Sequence, residues 1–95
     1  MIVLEGALPT QEARLLKALG HPVRLQIVSH LMDQESCVGT LWARLGLNQA
    51  ETSRHLALLR RVGAVETVRQ GRHICYRVSS QATRRLLTAL HQPAD

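Results

Sequence analysis

The spacing of apolar residues changes from a helical to an alternating pattern just after Gly63. Before that point they recur every three or four residues in four segments, which is the pattern of amphipathic helices. After it they alternate in two short stretches at 64–69 and 72–78, and a helical spacing returns at about 80–91. The chain is therefore predicted to be mainly α with a small β-hairpin, in the order α-α-α-α-β-β-α.

The first two helices are marked by residues typical of helix ends. Thr10 is predicted to be the N-cap of a helix over about 10–19, and Gly20 follows where helices commonly end. Pro22 then opens the second helix, since proline is well tolerated at the first helical position. A polar stretch over 33–36 ends that helix.

The third and fourth helices, with the short turn between them, form a helix-turn-helix motif over 38–62. An apolar face over about 38–46 carries Val38, Leu41, Trp42 and Leu45. Asn48 follows the turn and is predicted to cap the fourth helix, with Glu51 three residues later as in a capping box. The inward face of the fourth helix carries Thr52, Leu56, Leu59 and Val62. Two short helices joined by a tight turn with glycine are the signature of this motif.

A β-hairpin with a basic tip follows the fourth helix. Its strands are separated by the two-residue turn Gln70-Gly71, with Arg69 and Arg72 on either side. The last helix, at about 80–91, places Leu86, Leu87 and Leu90 on one side. This order is that of a winged helix-turn-helix, with the hairpin over 64–78 as the wing. We expect residues 1–95 to form a single domain.

The positive charge is confined to one part of the chain. The formal net charge is +5, and the window from Arg54 to Arg77 holds six arginines but only one acidic residue, Glu66. The rest of the chain therefore sums to zero. Arginine binds phosphate with two hydrogen bonds and reads guanine edges, so this confinement favours nucleic-acid binding over a merely solvated face.

Length and composition exclude several classes of protein. A chain of 95 residues is long enough for one domain but has modest stability as a lone monomer, so dimerisation would help. No stretch approaches the roughly 18 apolar residues of a membrane helix, and no signal peptide is visible, so we expect a cytoplasmic protein. Two cysteines in a reducing compartment are by default free thiols. No catalytic triad, phosphate-binding glycine loop or carboxylate pair indicates an enzyme, and no cofactor is expected.

The fourth helix is the expected recognition helix, because the second helix of this motif lies in the major groove of DNA. Gln49 has the geometry to pair with an adenine edge, and Arg54 with guanine or phosphate. Glu51 is assigned to capping instead. Arg69 and Arg72 would reach the flanking backbone or the minor groove. The predicted DNA-binding residues are Asn48, Gln49, Ala50, Ser53, Arg54, His55, Arg60, Arg69 and Arg72.

Three segments resemble the arsenic-repressor (ArsR/SmtB) family. They are the opening LGHPVRLQIV at 19–28, the recognition-helix sequence NQAETSRHLALLR at 48–60 and the wing sequence QGRHICYRV at 70–78. The resemblance spans about residues 10–91. It implies a homodimeric transcriptional repressor that leaves its operator DNA when an inducer binds, with the first and last helices pairing across the dimer.

The known inducer sites of this family are incomplete here. The arsenic type has three thiols at the start of the third helix, and this chain keeps Cys37 but has Gly39 and Trp42 at the other two positions. One thiolate does not hold a soft metal ion tightly. The zinc type needs carboxylates and histidines on the last helix, where only His91 stands. The sulfide-sensing type has a cysteine where Ser29 lies and a second in the last helix. No metal site is therefore expected.

Cys37 and Cys75 remain as candidate sensors of oxidation or of a thiophilic inducer such as arsenite. Winged helices often contain a short strand before the third helix, paired with the returning strand of the wing. With such a strand here, residues 36–38 would lie beside 74–76, within disulfide reach. Oxidation or bridging of the thiols would then pull the wing against the recognition helix. The other interpretation is that both cysteines are small buried hydrophobic residues.

Two further functions stay open at this point. One is a constitutive repressor, or one gated by a small organic ligand at the dimer interface, with no thiol switch. The other is a winged helix used for protein–protein contact, against which the arginine-rich recognition window argues. The salt dependence of binding to a DNA duplex separates a DNA-binding repressor from a domain for protein–protein contact, because phosphate contacts give a steep negative slope of log affinity against log salt.

Overall fold

The structure is a computed structural model that describes residues 8–91. It contains five helices and three strands: α1 (Thr10–Leu19), α2 (Pro22–Asp33), β1 (Ser36–Cys37), α3 (Val38–Leu45), α4 (Gln49–Arg61), β2 (Val65–Gln70), β3 (His73–Val78) and α5 (Gln81–His91). The predicted order of helices and hairpin is confirmed, with the extra strand before α3. Residues 1–7 and 92–95 of the predicted single domain, and the side chain of Val38, lie outside the described part.

The N-terminus of α1 differs from the prediction. Pro9, not Thr10, is the N-cap residue, and Thr10 is the first residue of the helix. The first helical bond runs from the Ala13 N–H to the Pro9 carbonyl at 3.0 Å, while the Thr10 hydroxyl donates back to the Leu8 carbonyl at 3.4 Å. The Thr10 hydroxyl therefore cannot be the predicted cap, since it bonds a residue outside the helix.

The junction of α1 and α2 is built by three adjacent residues. Gly20 has an ordinary φ of −79°, but a Cβ there would lie 3.2 Å from the Leu16 carbonyl oxygen. Its small size is therefore needed for close packing and not for a left-handed turn. His21 is the N-cap of α2, and its Nδ1 accepts a hydrogen bond from the Val23 N–H at 3.1 Å. Pro22 opens α2 as predicted.

The helix-turn-helix is held by its turn and by the cap of α4. Gly46 adopts the left-handed conformation at φ 67°, which ends α3. Asn48 Oδ1 accepts a hydrogen bond from the Glu51 N–H at 3.1 Å, as predicted. The Thr52 hydroxyl also donates to the Asn48 carbonyl at 2.8 Å. Asn48 therefore accepts hydrogen bonds from the start of α4 through both its side chain and its backbone.

The turn of the wing lies one residue later than predicted. Gln70 pairs with His73, so the two turn residues are Gly71 and Arg72, not Gln70 and Gly71. Gly71 has φ 62° at the first turn position, where a type II′ hairpin turn requires a positive φ. Both assignments satisfy the local turn chemistry, and the strand register decides between them. Arg72 consequently stands at the tip itself.

The sheet places β3 between β1 and β2, and all pairs are antiparallel. Below it the helices enclose one core, with Ile27, Val28, Leu41, Leu56, Leu59 and Leu87 fully buried. The described residues contain no helix long and apolar enough to cross a membrane. Several leucines of α1 and α5 lie outside this core: Leu16 is 56% exposed, Leu86 37% and Leu90 66%.

Candidate nucleic-acid interface

Helix α4 presents one exposed face along its whole length. Its opposite face is fixed by Thr52, Leu56 and Leu59, which are completely buried in the core. Because residues three and four apart share a helix face, the exposed side is determined by these three. The side chains it exposes are Gln49, Ala50, Glu51, Ser53, Arg54, Ala57, Arg60 and Arg61. The structure thus brings the predicted contact residues of this helix together on one surface, with the exception of His55.

His55 lies on the flank of α4 that faces the α1–α2 junction. Its ring centroid is 4.9 Å from that of His21, and its Nδ1 is 3.5 Å from Nη1 of Arg24. The Arg24 Nε donates to the Ala18 carbonyl at 2.7 Å, so this guanidinium joins the end of α1 to the recognition helix. Burial lowers the pKa of His55 below its usual 6.5, and the electrostatic interactions with His21 and Arg24 lower it further. Both effects favour the neutral imidazole.

The wing offers two exposed arginines near its tip. Arg69 lies on β2 opposite Ile74, Arg72 stands in the turn, and both side chains are exposed. Arg77 is different, because its Nε donates to Glu66 Oε1 at 2.6 Å and its Nη1 lies 3.7 Å from Glu35 Oε2. The hydrogen bond to Glu66 raises the pKa of Arg77 above its ordinary value. Arg77 is one of the six arginines of the basic window, but its charge is compensated by Glu66 and Glu35.

Glu35 ties the wing to the body of the domain. This residue precedes β1, and its Oε1 accepts a hydrogen bond from Gln70 Nε2 at 2.7 Å. Together with its contact to Arg77, it therefore touches both strands of the wing. The positions of Glu35, Gln70 and Arg77 in the sequence did not predict these contacts, because the contacts depend on the pairing of β1 with β3.

Cys37 and Cys75 are joined by a disulfide, where composition alone favoured two free thiols. They are directly opposed in the β1–β3 pair, with their Cα atoms 3.7 Å apart. That separation is shorter than the roughly 4.4–6.8 Å that disulfides usually span, and it brings the two side chains close enough to pair. Cys75 is buried, and Cys37 is the N-cap residue of α3. The bond therefore connects the wing to the first helix of the helix-turn-helix.

Ser29 and His91, which were compared above with the inducer ligands of other family members, contact each other. Ser29 Oγ lies 3.1 Å from His91 Nε2, so the second and last helices are linked there by a hydrogen bond. His30 Nε2 lies 3.0 Å from Ser36 Oγ. Between residues 8 and 91, no group of three or more His, Cys, Asp or Glu side chains is arranged to hold a metal ion.

Arg61 is a basic residue of the exposed face that the sequence analysis missed. It stands seven residues, or about two turns, after Arg54, and it is exposed on the same side of α4. Its spacing from Arg54 was the available signal. The wing and α4 together therefore present Arg54, Arg60, Arg61, Arg69 and Arg72 to solvent.

Comparison with known proteins identifies this arrangement. The family model described as "Bacterial regulatory protein, arsR family" matches residues 21–67. The transcriptional activator HlyU of Vibrio cholerae is 42% identical over 78 residues, which cover 82% of this chain and 72% of that protein. The biofilm growth-associated repressor of Xylella fastidiosa is 42% identical over 79 residues, covering 83% of this chain and 69% of the repressor.

Solved structures agree with the sequence relatives. HlyU from Vibrio cholerae superposes with a TM-score of 0.81 at 40% identity, covering 86% of this chain and 89% of the other. The homodimeric winged helix-turn-helix DNA-binding domain of Mb0332 from Mycobacterium bovis gives a TM-score of 0.80 at 30% identity, over 92% and 86% of the two chains. This chain is a winged helix-turn-helix transcriptional regulator of the bacterial arsR (ArsR/SmtB) family.

Proposed function

We propose that the protein is a cytoplasmic, homodimeric repressor that binds a specific operator sequence in double-stranded DNA. The observation that carries the proposal is the exposed basic face of α4 beside the arginine-bearing wing tip. No carboxylate within residues 8–91 forms a salt bridge with Arg54, Arg60, Arg69 or Arg72. These guanidinium groups are therefore available for phosphates and base edges.

The N-terminal half of α4 is the proposed base-reading segment. Gln49, Ala50, Ser53 and Arg54 are exposed there, and recognition helices contact bases with their N-terminal residues. Asn48 uses its Oδ1 for the cap, so its contact to DNA would come from the amide nitrogen. His55 would contribute from the flank through the ring nitrogen that does not face Arg24. Arg60, Arg69 and Arg72 are assigned to the backbone or the minor groove.

The dimer is proposed to form through α1 and α5. Leu16 on α1 and Leu86 and Leu90 on α5 are exposed large apolar residues, and a small domain gains stability by covering them. The Mycobacterium bovis domain described above is named as a homodimer, which supports the same assembly here. Two copies of α4 would then read two halves of one operator.

The disulfide is the proposed switch. Reduction of the Cys37–Cys75 bond adds two electrons and two protons and gives two thiols, which removes the covalent link between β3 of the wing and the start of α3. We expect the reduced protein to hold its operator and the oxidised protein to release it, because the bond fixes the wing relative to the helix-turn-helix. Arsenite would bridge the same two sulfur atoms, with loss of two water molecules.

Fluorescence anisotropy on a labelled duplex selected from the source genome tests the proposal. The reduced protein, the protein oxidised with diamide and the reduced protein with arsenite would each be titrated, for wild type, Cys37→Ser and Cys75→Ser. Diamide takes up the two thiol hydrogens as the S–S bond forms. Release by diamide or arsenite in wild type, absent from both serine variants, is the expected result.

Two other outcomes would redirect the assignment. Tight binding that ignores all three conditions would make the cysteines packing residues and leave a constitutive repressor or one gated by an organic ligand. Weak binding without a steep salt dependence would instead favour a winged helix used for protein–protein contact.

A further inference from the structure

A cavity of about 740 Å³ lies between α1 and the C-terminal end of α4. Its lining comes from α1, α2 and α4 and includes neither the wing nor α5. Pockets for small ligands commonly measure about 300–1,000 Å³, so this one is of suitable size. It is also separate from the exposed leucine of α1, because Leu16 is not among its lining residues.

Four cationic side chains line this cavity, and none of its lining residues is acidic. They are Arg14 and Lys17 on α1, Arg24 on α2 and Arg61 on α4. Within residues 8–91 no salt bridge engages any of the four. Like charges gathered in one concave site repel one another, and the geometry of the site strengthens their combined field. An anion in the cavity would relieve that repulsion.

Helix-end electrostatics explains only part of this cluster. Lys17 and Arg61 lie in the last turns of their helices, where cations are favoured by the helix dipole. Arg14 lies one turn before Lys17, outside that last turn, and Arg24 lies near the beginning of α2. Stabilisation by helix dipoles therefore does not explain why Arg14 and Arg24 line the same cavity as Lys17 and Arg61.

Apart from the polar Gln11 and the backbone of Gly63, the rest of the lining is apolar. Ala18, Leu58 and Val62 contribute to it, and Leu58 and Val62 are only half-buried. A hydrated inorganic anion would gain nothing from these side chains, whereas an apolar group placed on them would be removed from water. We propose that this cavity binds a small organic anion, one that carries a carboxylate or phosphate group on an apolar body.

Arg24 connects the cavity to the recognition helix. Its Nη1 is 3.5 Å from Nδ1 of His55, and its Nε donates to the Ala18 carbonyl. A ligand anion at Arg24 would compete for the guanidinium that contacts His55 on the flank of the DNA-facing surface. An effect of the ligand on operator affinity rests on the proposed DNA-binding function, but binding of the ligand to the cavity does not.

Phenyl phosphate is a suitable probe, because it joins a phosphate to an aromatic ring. Its binding to the uniformly ¹⁵N-labelled full chain would be followed by two-dimensional NMR, with inorganic phosphate and phenol as the two halves of the probe. We expect saturable shifts of the Ala18, Leu58, Val62 and Gly63 amides with phenyl phosphate, weaker binding of phosphate and none of phenol.

The variants Lys17→Gln and Arg14→Gln test the charges, since both side chains are exposed and their replacement leaves the core intact. Each should weaken phenyl phosphate binding about tenfold, the value of one charge-assisted hydrogen bond. Arg44→Gln is the matched control, because Arg44 is exposed on α3 and does not line the cavity. Unchanged affinity in both cavity variants would overturn the proposal.

The same variants distinguish a small ligand from the DNA backbone. Operator binding without the probe should keep its affinity and salt dependence in Lys17→Gln and Arg14→Gln, because both residues lie on α1 and outside the DNA-facing surface. If both variants instead bind the operator more weakly and phenyl phosphate shifts only residues of α4 and the wing, the cations are phosphate contacts and the proposal is wrong. Because the NMR titration needs no DNA, failure to find an operator would leave the cavity result intact.

Discussion

The rings of His21 and His55 lie 4.9 Å apart and join the α1–α2 junction to the recognition helix. His21 is at the same time the N-cap of α2, through its Nδ1. The groups that act on His55 come from two neighbouring segments and from its own helix: His21, Arg24, Glu51 and Arg54. All but Glu51 oppose its protonation, so this contact favours a neutral ring.

This contact predicts a loss of stability in mild acid. The pKa of His55 is lowered in the folded protein, so below pH 6.5 the unfolded chain takes up this proton more readily than the folded one. Stability from this site is therefore complete above pH 6.5 and is lost as the pH falls through the folded pKa. Urea unfolding at pH 7.5 and pH 5.5, at one protein concentration, should show a smaller pH effect in His55→Gln than in wild type.

An NMR titration of the ring protons gives the control for that experiment. The midpoint of His55 should lie below 6.5. An equal loss of stability in wild type and His55→Gln, or a midpoint above 6.5, would contradict the assignment.

Two buried threonines predict opposite effects of one substitution. The Thr83 hydroxyl on α5 is buried and has no hydrogen-bond partner among the described residues, whereas the Thr52 hydroxyl donates to the Asn48 carbonyl. A buried polar group without a partner costs about 1–3 kcal/mol, and valine keeps nearly the same shape. Thr83→Val should therefore raise the free energy of unfolding by about 1 kcal/mol, and Thr52→Val should lower it by a similar amount. Chemical denaturation of the three proteins checks both signs, and a destabilised Thr83→Val would show that its hydroxyl is in fact bonded.

Local signals in the sequence were sufficient for the element order and for several helix ends. Asn48, Gly46 and Pro22 each act on the backbone within a few residues of themselves, Asn48 through its side chain, so their roles are readable without knowledge of the fold. The wing turn was misplaced because Gln70-Gly71 and Gly71-Arg72 both satisfy the local chemistry, and only the pairing of Gln70 with His73 separates them.

Contacts between distant segments were much less predictable. Arg24 and His55 are 31 residues apart, and nothing in either segment signals the other. The opposition of Cys37 and Cys75 was predictable only on the condition that a short strand precedes α3. The compensation of Arg77 by Glu66 follows from the strand register, which local sequence does not determine to the residue. Each of these depends on packing and not on local pattern.

The different surroundings of Arg72 and Arg77 predict different roles in DNA binding. Arg72 stands exposed at the wing tip, whereas Arg77 is held by Glu66 at 2.6 Å. Removing one phosphate-binding side chain reduces the slope of log affinity against log salt by about 1. Arg72→Gln should show that decrease, and Arg77→Gln should leave the slope close to wild type. Anisotropy titrations over a range of salt concentrations measure both, and a reduced slope in Arg77→Gln alone would reverse the assignment.

The exposed leucine at the end of α5 predicts the oligomeric state. Leu90 is 66% exposed in the single chain, and a charge there would be forced against apolar partners in the proposed dimer. Leu90→Glu should therefore shift the dimer–monomer equilibrium strongly toward monomer in sedimentation equilibrium. Ile74→Glu is the matched control, since Ile74 is a similarly exposed apolar residue at 52% but lies on the wing. A monomeric wild type, or dissociation of both variants alike, would exclude α5 as the dimer interface. Because two copies of α4 are needed to bind two half-sites, Leu90→Glu should also weaken operator binding while leaving the circular dichroism spectrum unchanged.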